Sequence, residues 1–414
     1  MNCYNYYLAT LLLLLLVLSS WTVSSQSPEI NDEIVGTNCN IQLPARPTAN
    51  AHTLEGLFIL MRHGIRAPWT TYPLDPFANE TNRFPNGGSQ LTDAGINQAY
   101  NMGKYYKILY NKFIRANQKQ SYLRASAAQR CIDTLAIVTK TLWPPNAYNE
   151  KSWQPMLFSL PKRIDSVLYE EPDCQPAEDA EHENLETKVV KDYEADPKIQ
   201  KLYQLVANKT GLKPDMYSMT KAFDCFRCEK LNGLPSPKWV TPDLYDQMGD
   251  VLSHRLNFFY QSTKAQRLRA GPILEDFIEH MNKITNAKPG DKPKRLLIYT
   301  SHDFKIAALL AAIGDPQPKY PPFAAALIFE LHKVDGKHIV RSQYVDQNTH
   351  WPYSAIKIPL SKCKKLAGES STECSLDNFV QSVSNLEPVD WPVECKLNCT
   401  YNAFQVAEDN LGNT

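Results

Sequence analysis

Two stretches far apart in the chain share one pattern: a short, unbroken apolar run that stops at a polar cluster. In the first, Leu57 to Met61 runs into Arg62, His63, Gly64 and Arg66. A run of this length bounded by turn signals predicts a buried strand. Thr92 then caps a segment in which Ala94, Ile96, Ala99, Met102, Tyr105, Tyr106 and Leu109 recur at helical spacing. "SYLRAS" predicts a short strand. Ile132 to Leu142 predicts an apolar helix halted by Pro144 and Pro145, and "QPMLFSL" another strand. In the second stretch, Leu296 to Thr300 reads as a strand, Ser301-His302-Asp303 as the polar switch, and the apolar run to Gly314 as a helix. "AALIFELHKVDGKHIVRSQYVD" predicts a hairpin turning at Asp335-Gly336.

The texture between these stretches differs. It carries acidic runs (Glu170, Glu171, Glu178, Asp179, Glu181, Glu183) and helical patterns such as "PDLYDQMGDVLSHRLNFFYQ", without a convincing strand. The pattern predicts an α/β core over 53–160 and 290–400, interrupted by a mainly helical cap subdomain over 161–289. A polar, proline-containing extension covers 26–52 and a tail covers 401–414. The Cys- and Pro-rich segment near the C-terminus shows no clear periodicity. Strand-then-helix at both ends argues for a mostly parallel central sheet flanked by helices. In such sheets ligands bind beyond the carboxyl ends of the strands, where both polar clusters fall.

The N-terminus changes the picture by adding a compartment. Leu11 to Leu18 is unbroken apolar sequence followed by Ser19, Ser20, Ser24 and Ser25. It is too short to span a bilayer and predicts a signal peptide over 1–25, cleaved near Ser25, although no Lys or Arg precedes the run. No later segment is long and apolar enough to span, so the expected product carries no membrane anchor. Of the ten cysteines, nine lie beyond this leader, an odd number, in a compartment that favours pairing. Cys225 and Cys228 form a CxxC; no second CxxC or His pair stands at zinc spacing, so a local disulfide is the expectation. Asn79, Asn208 and Asn398 head N-glycosylation triplets. Lys+Arg and Asp+Glu are equal at 44 each, so no charge excess points to nucleic acid or a membrane surface.

A histidine between two arginines is electrostatically costly unless an anion sits there. Guanidinium forks match phosphate oxygens and stay charged. Positive neighbours depress the pKa of His63, which keeps a lone pair free as a nucleophile. Phosphoryl transfer also needs a proton for the leaving oxygen. Asp303 can supply it in acid, and His302 can donate to a phosphate oxygen. Taken alone, "RHG" is also an ordinary basic loop, and Ser or Asp after a strand an ordinary helix cap.

Together, Arg62-His63-Gly64-Ile65-Arg66-Ala67-Pro68, His302-Asp303 and "LTDAGINQAYNMGKYY" resemble the RHGxRxP, HD and LTxxGxxQ motifs of the histidine acid phosphatases. The resemblance runs from about Leu57 to about Cys399 and is nearest the animal secreted and lysosomal enzymes. It implies a phosphoglycerate-mutase-like core and hydrolysis of phosphate monoesters, small-molecule or peptide, through a phosphohistidine at acidic pH. It further implies no metal or other cofactor, and homodimers. By the resemblance His63 is the nucleophile and Asp303 the proton donor, while Arg62, Arg66 and His302 bind phosphate. The third phosphate arginine is placed at Arg124 in "LRASAAQRC"; Arg130, a turn or so further on, reads as a packing or ion-pairing arginine. The family pattern implies disulfides Cys174–Cys395 and Cys363–Cys374. The partner that relatives offer to a cysteine near Cys228 is replaced within "PPFAAALIFEL", which leaves Cys225–Cys228; Cys39, Cys131 and Cys399 stay unassigned. The expected product is secreted, with the lysosome lumen as the alternative. A binding protein on the same fold that has lost turnover, such as a venom or saliva component, would have lost one of these residues. A phosphoglycerate-mutase-like transferase would lack the leader and the HD donor.

Overall fold

The computed structural model describes residues 52–78, 80, 82–144, 156–316, 319–345, 355–357, 360–365, 373–388 and 390–397. The leader, most of the 26–52 extension, Cys39, Asn79, Asn398, Cys399 and the tail lie outside the described residues.

Strand β1 (Leu54–Arg62) is the centre of a mixed sheet. Helix α1 (Asp93–Ala116), β2 (Ser121–Ala125), α2 (Gln129–Leu142) and the two-residue β3 (Leu157–Phe158) follow. Six helices fill the chain before the next strand: α3 (Gln175–Leu185), α4 (Lys188–Ala195), α5 (Pro197–Thr210), α6 (Met216–Leu231), α7 (Pro242–Phe259) and α8 (Thr263–Thr285). Then come β4 (Leu296–Ser301), α9 (Asp303–Ala312) and the hairpin β5 (Ala326–Val334) and β6 (Lys337–Val345). Its two-residue turn, Asp335-Gly336, has positive φ at both positions, the geometry that matches strand twist. Short strands β7 (Ala355–Lys357) and β8 (Glu373–Ser375), then α10 (Leu376–Val383) and α11 (Trp391–Glu394), end the described chain.

The strand order is β3-β2-β4-β1-β5-β6-β7, with β8 also on β6. Pairing is parallel from β3 to β1 and antiparallel from β1 onward. The sheet is therefore half parallel: β1 and β4 buried on both faces require crossovers, whereas the Asp335-Gly336 turn folds β5 directly onto β6. Alternation along β1 feeds two cores. Phe58 and Leu60 point into one with Phe277 of α8 and Ile306 of α9. Leu57, Ile59 and Met61 point into the other with Met102 and Tyr106 of α1 and Leu135 and Val138 of α2. Both faces of β1 are covered, so it reads as a continuous apolar run.

Candidate active site

Parallel pairing of β2, β4 and β1 puts their carboxyl ends on one sheet edge. There His63 N–H donates to the Ser301 carbonyl at 3.0 Å, and Ser126 N–H to the Thr300 carbonyl at 3.0 Å. Residues 62–66, 124–130 and 301–303 thus become neighbours. Helix α1 clamps the first loop through three positions spaced one helical turn apart. Thr92 N–H donates to the Ile65 carbonyl at 3.1 Å, and Gln98 Oε1 accepts from Ile65 N–H at 3.1 Å. Between them a Cβ on Gly95 would stand 1.9 Å from the Ile65 oxygen, so only glycine allows this approach. Ile65 itself is buried, packed with Cys228 and Phe323 rather than bordering the pocket.

His63 is 1% exposed. Its Nδ1 lies 2.9 Å from the Gly64 carbonyl oxygen. A carbonyl only accepts, so Nδ1 carries the hydrogen and Nε2 keeps its lone pair. Burial, and then the charges of Arg130, Arg62 and Arg66, hold the imidazole well below its usual range, so the lone pair survives in acid. His302 is lowered by the same causes in the same order. Arg130 Nη2 stands 3.3 Å from its Nδ1, and Ser126 Oγ 3.0 Å from its Nε2.

Arg130, not Arg124, is the arginine that this segment delivers to the pocket. Strand alternation points Arg124 to the same face as Tyr122. There it meets buried Asp165 at 2.5 Å, and it does not line the cavity. Arg130 comes after the strand has ended, at the first turn of α2, where it lines the cavity and stands against His302.

The remaining arginines are held by carboxylates. Arg62 Nη2 pairs with Asp303 Oδ2 at 2.8 Å, and burial pulls Arg62 down to about 10. Asp224 of α6 accepts from Arg66 Nη1 and Nη2 at 2.9 and 3.0 Å, from Arg227 Nη2 at 3.0 Å and from Trp69 N–H at 3.3 Å. Burial opposes its charge, but Arg66 and Arg227 outweigh burial and hold the carboxyl well below its usual range. The Phe323 ring lies beneath three guanidiniums, 4.1 Å from Arg62, 4.7 Å from Arg227 and 5.6 Å from Arg66. The Nε atoms of Arg62, Arg66, Arg130 and Arg227 are buried without a hydrogen-bond partner. Each is an unmet donor, and Arg66, Arg130 and Arg227 are also residues of the cavity wall.

His63, Arg66, Arg130, Asp224, Arg227, His302 and Asp303 line a cavity of about 340 Å³, its outer wall formed by half-exposed Trp69 and Tyr217 with Phe304, Lys221 and Arg255; Arg62 and Phe323 do not line it, and Arg62 reaches it only through its pair with Asp303. Glu170 also faces it, 3.5 Å from His302 Nδ1. Burial, reinforced by the charge of Asp303, pushes Glu170 up to about 7. Asp224, Arg227 and Phe323 were not singled out in the sequence, and Glu170 stood there only as part of an acidic run. The one hint was a pair of charges three apart inside the otherwise apolar helical stretch "AFDCFRC".

The cysteines follow the same logic. Cys174 is joined to Cys395 and Cys363 to Cys374. The expected Cys225–Cys228 bridge is not formed; both are free thiols, as is Cys131. One helical turn separates them, and each turns to a different partner. Cys225 Sγ donates to the Thr70 carbonyl at 3.0 Å, and Cys228 Sγ lies 3.6 Å from Arg66 Nη1. Asn208 is exposed on α5.

Fold and site together define an α/β protein built to take an anion against a histidine. The chain belongs to the histidine phosphatase superfamily (branch 2), whose family model matches residues 53–345. It is 26% identical over 376 residues to prostatic acid phosphatase of Homo sapiens, covering 87% of this chain and 92% of that protein. It is 27% identical over 372 residues to lysosomal acid phosphatase of Bos taurus, covering 86% and 84%. The solved structure of Hafnia alvei phytase shares the fold with a TM-score of 0.63 at 16% identity, over 84% of this chain and 98% of that one.

Proposed function

We propose that this protein is an exported acid phosphatase that hydrolyses phosphate monoesters through a phosphohistidine. The observation that carries the reading is His63 with its Nδ1 tied to Gly64 and its Nε2 bare among the guanidiniums of Arg130, Arg62 and Arg66. Their unmet donors bind the phosphoryl oxygens, with His302 beside them. A phosphate oxygen entering at His302 draws the proton to Nδ1, which Ser126 permits because a hydroxyl both donates and accepts. His63 Nε2 forms a bond to phosphorus while the bond to the leaving oxygen breaks. Asp303 gives its proton to that oxygen, releasing the alcohol, and the Gly64 carbonyl steadies the now cationic ring. Asp303 then takes a proton from water, whose oxygen attacks phosphorus. The P–N bond breaks and inorganic phosphate leaves.

The leader and the prostatic and lysosomal relatives support an exported, acidic setting. Every group the chemistry needs is present, which favours turnover over a binding-only role. The test is p-nitrophenyl phosphate hydrolysis at about pH 5, where a carboxyl donor is partly protonated. An alkaline quench during turnover and peptide mass spectrometry should place the phosphoryl group on His63. A wild type without turnover, or a label on another residue, removes the proposal.

Two further outcomes follow from the geometry. Arg130→Ala is expected to weaken inhibition by inorganic phosphate about tenfold or more, the size of one charged hydrogen bond. Arg124→Ala should leave that inhibition little changed and cost about 3 kcal/mol of stability, because Asp165 stays buried without its cation. Phosphate titrations and thermal melts of both variants check the assignment. Glu170 is neutral below about 7 and charged above it, placing a negative charge beside the incoming phosphate as pH rises. Glu170→Gln should therefore raise the ratio of activity at neutral pH to activity in acid by about fivefold, on the order of 1 kcal/mol. An unchanged pH profile would show that Glu170 does not set the alkaline limb.

A further inference from the structure

The mechanism above leaves Arg227 with no task beyond its charge. It stands on α6 one turn past Asp224, 3% exposed, on the cavity wall. Its Nη2 donates to Asp224 Oδ1 at 3.0 Å, while both Nε and Nη1 are buried without a partner. Three aromatic rings pack around it: its guanidinium carbon is 4.7 Å from the Phe323 centroid, 5.2 Å from that of Tyr320 and 5.7 Å from that of Phe223. Rings can hold a cation there but cannot serve as strong acceptors for its N–H groups. A buried guanidinium kept in place with unmet donors is arranged for a ligand atom.

Its position says which atom. Arg227 Nη2 lies 3.9 Å from Asp303 Oδ2, the oxygen that Arg62 holds at 2.8 Å. In an in-line displacement the leaving oxygen departs on the side away from His63 Nε2, where Asp303 must reach it. Arg227 therefore stands beside the proton donor, on the side where the alcohol leaves.

We infer that Arg227 is a further catalytic residue that acts on the leaving group: its unmet N–H groups donate to the departing oxygen. In that step the P–O bond breaks and its electron pair stays on oxygen. The Asp303 O–H bond breaks and its proton goes to that oxygen, leaving a carboxylate between Arg62 and Arg227. Both developing charges face Arg227, so its contribution grows with the charge the leaving oxygen must carry. Esters of weakly acidic alcohols depend on it most. The inference rests on the phosphatase reading and adds the substrate class for which Arg227 matters, alkyl rather than activated aryl phosphates.

The experiment compares p-nitrophenyl, phenyl and glycerol phosphates at about pH 5 for wild type, Arg227→Met and Arg227→Lys, with inhibition by inorganic phosphate measured in parallel. Arg227→Met should lose about fivefold in kcat/KM on p-nitrophenyl phosphate and about 100-fold on glycerol phosphate, within the range that assistance to a leaving group supplies. Phosphate inhibition should weaken by less than either loss. Arg227→Lys should recover part of the glycerol phosphate rate, and it keeps the charge facing Asp224 if the methionine variant fails to fold. Equal losses on all three esters, or a loss matched by weaker phosphate inhibition, would overturn the inference and make Arg227 part of the phosphate cradle or the scaffold. A wild type that hydrolyses none of the three esters would instead remove the phosphatase reading beneath it.

Discussion

His63→Ala is expected to lower turnover of p-nitrophenyl phosphate by about four orders of magnitude or more, as loss of a nucleophile does in covalent catalysis. That is more than about 5 kcal/mol of barrier. No other nitrogen among the described residues is placed to replace it: His302 is engaged at both ring nitrogens by Arg130 and Ser126. Binding should respond differently. Arg62, Arg66 and Arg227 owe their positions to Asp303, Asp224 and Phe323, and Arg130 stands against His302 rather than His63, so the alanine variant should still bind inorganic phosphate within about threefold of wild type, less than one ordinary hydrogen bond. Free imidazole at high concentration should restore part of the rate by filling the vacated space. A variant that retains more than about one-hundredth of the rate would sink the covalent mechanism.

Asp224→Ala is expected to produce the largest loss of stability. The carboxylate is 4% exposed and holds two buried guanidiniums and the Trp69 backbone. Removing it leaves both cations buried without their counter-charge, a cost of about 3–5 kcal/mol. Thermal melts should fall by several degrees, and folded protein should bind phosphate poorly because Arg66 loses its bidentate anchor. Asp224→Asn, which keeps the shape without the charge, should fall between. A melt within a degree of wild type would show that the cations find other partners. The direction of the Asp224 shift gives a pH consequence as well. A depressed carboxyl contributes stability that is in full above its unfolded value of about 4 and fades only as pH falls through its lower folded value. The cradle therefore keeps its shape in acid.

The two strand-to-cluster switches were legible because both β1 and β4 are covered on each face, so each reads as an apolar run ending at the site. The clamp by α1 was legible as a motif, although its spacing acquired a meaning only when Thr92, Gly95 and Gln98 met one loop. Arg124 and Arg130 show the limit. Both are arginines a few residues apart, and choosing between them required knowing that β2 ends at Ala125 and α2 begins at Gln129. Asp224 and Arg227 could not be paired with Arg66 and Asp303 in advance, since no sequence spacing encodes how a six-helix insertion packs on a sheet edge. The same is true of Cys225 and Cys228, whose partners lie in the loop after β1. The absence of clear periodicity near the C-terminus hid α10, a helix of eight residues on β6.

The strand pairing that assembles the site also sets when it can exist. His63 is synthesised early, and its neighbours His302 and Asp303 emerge only after the whole helical insertion. Until β4 slots between β1 and β2, the arginines of the first loop have neither Asp303 nor the sheet edge that orients them. Contacts between segments this distant close late and slowly. Catalytic activity is therefore a report on completed folding, and a nascent chain or truncated fragment lacking β4 should be inert however much of its helical cap has formed.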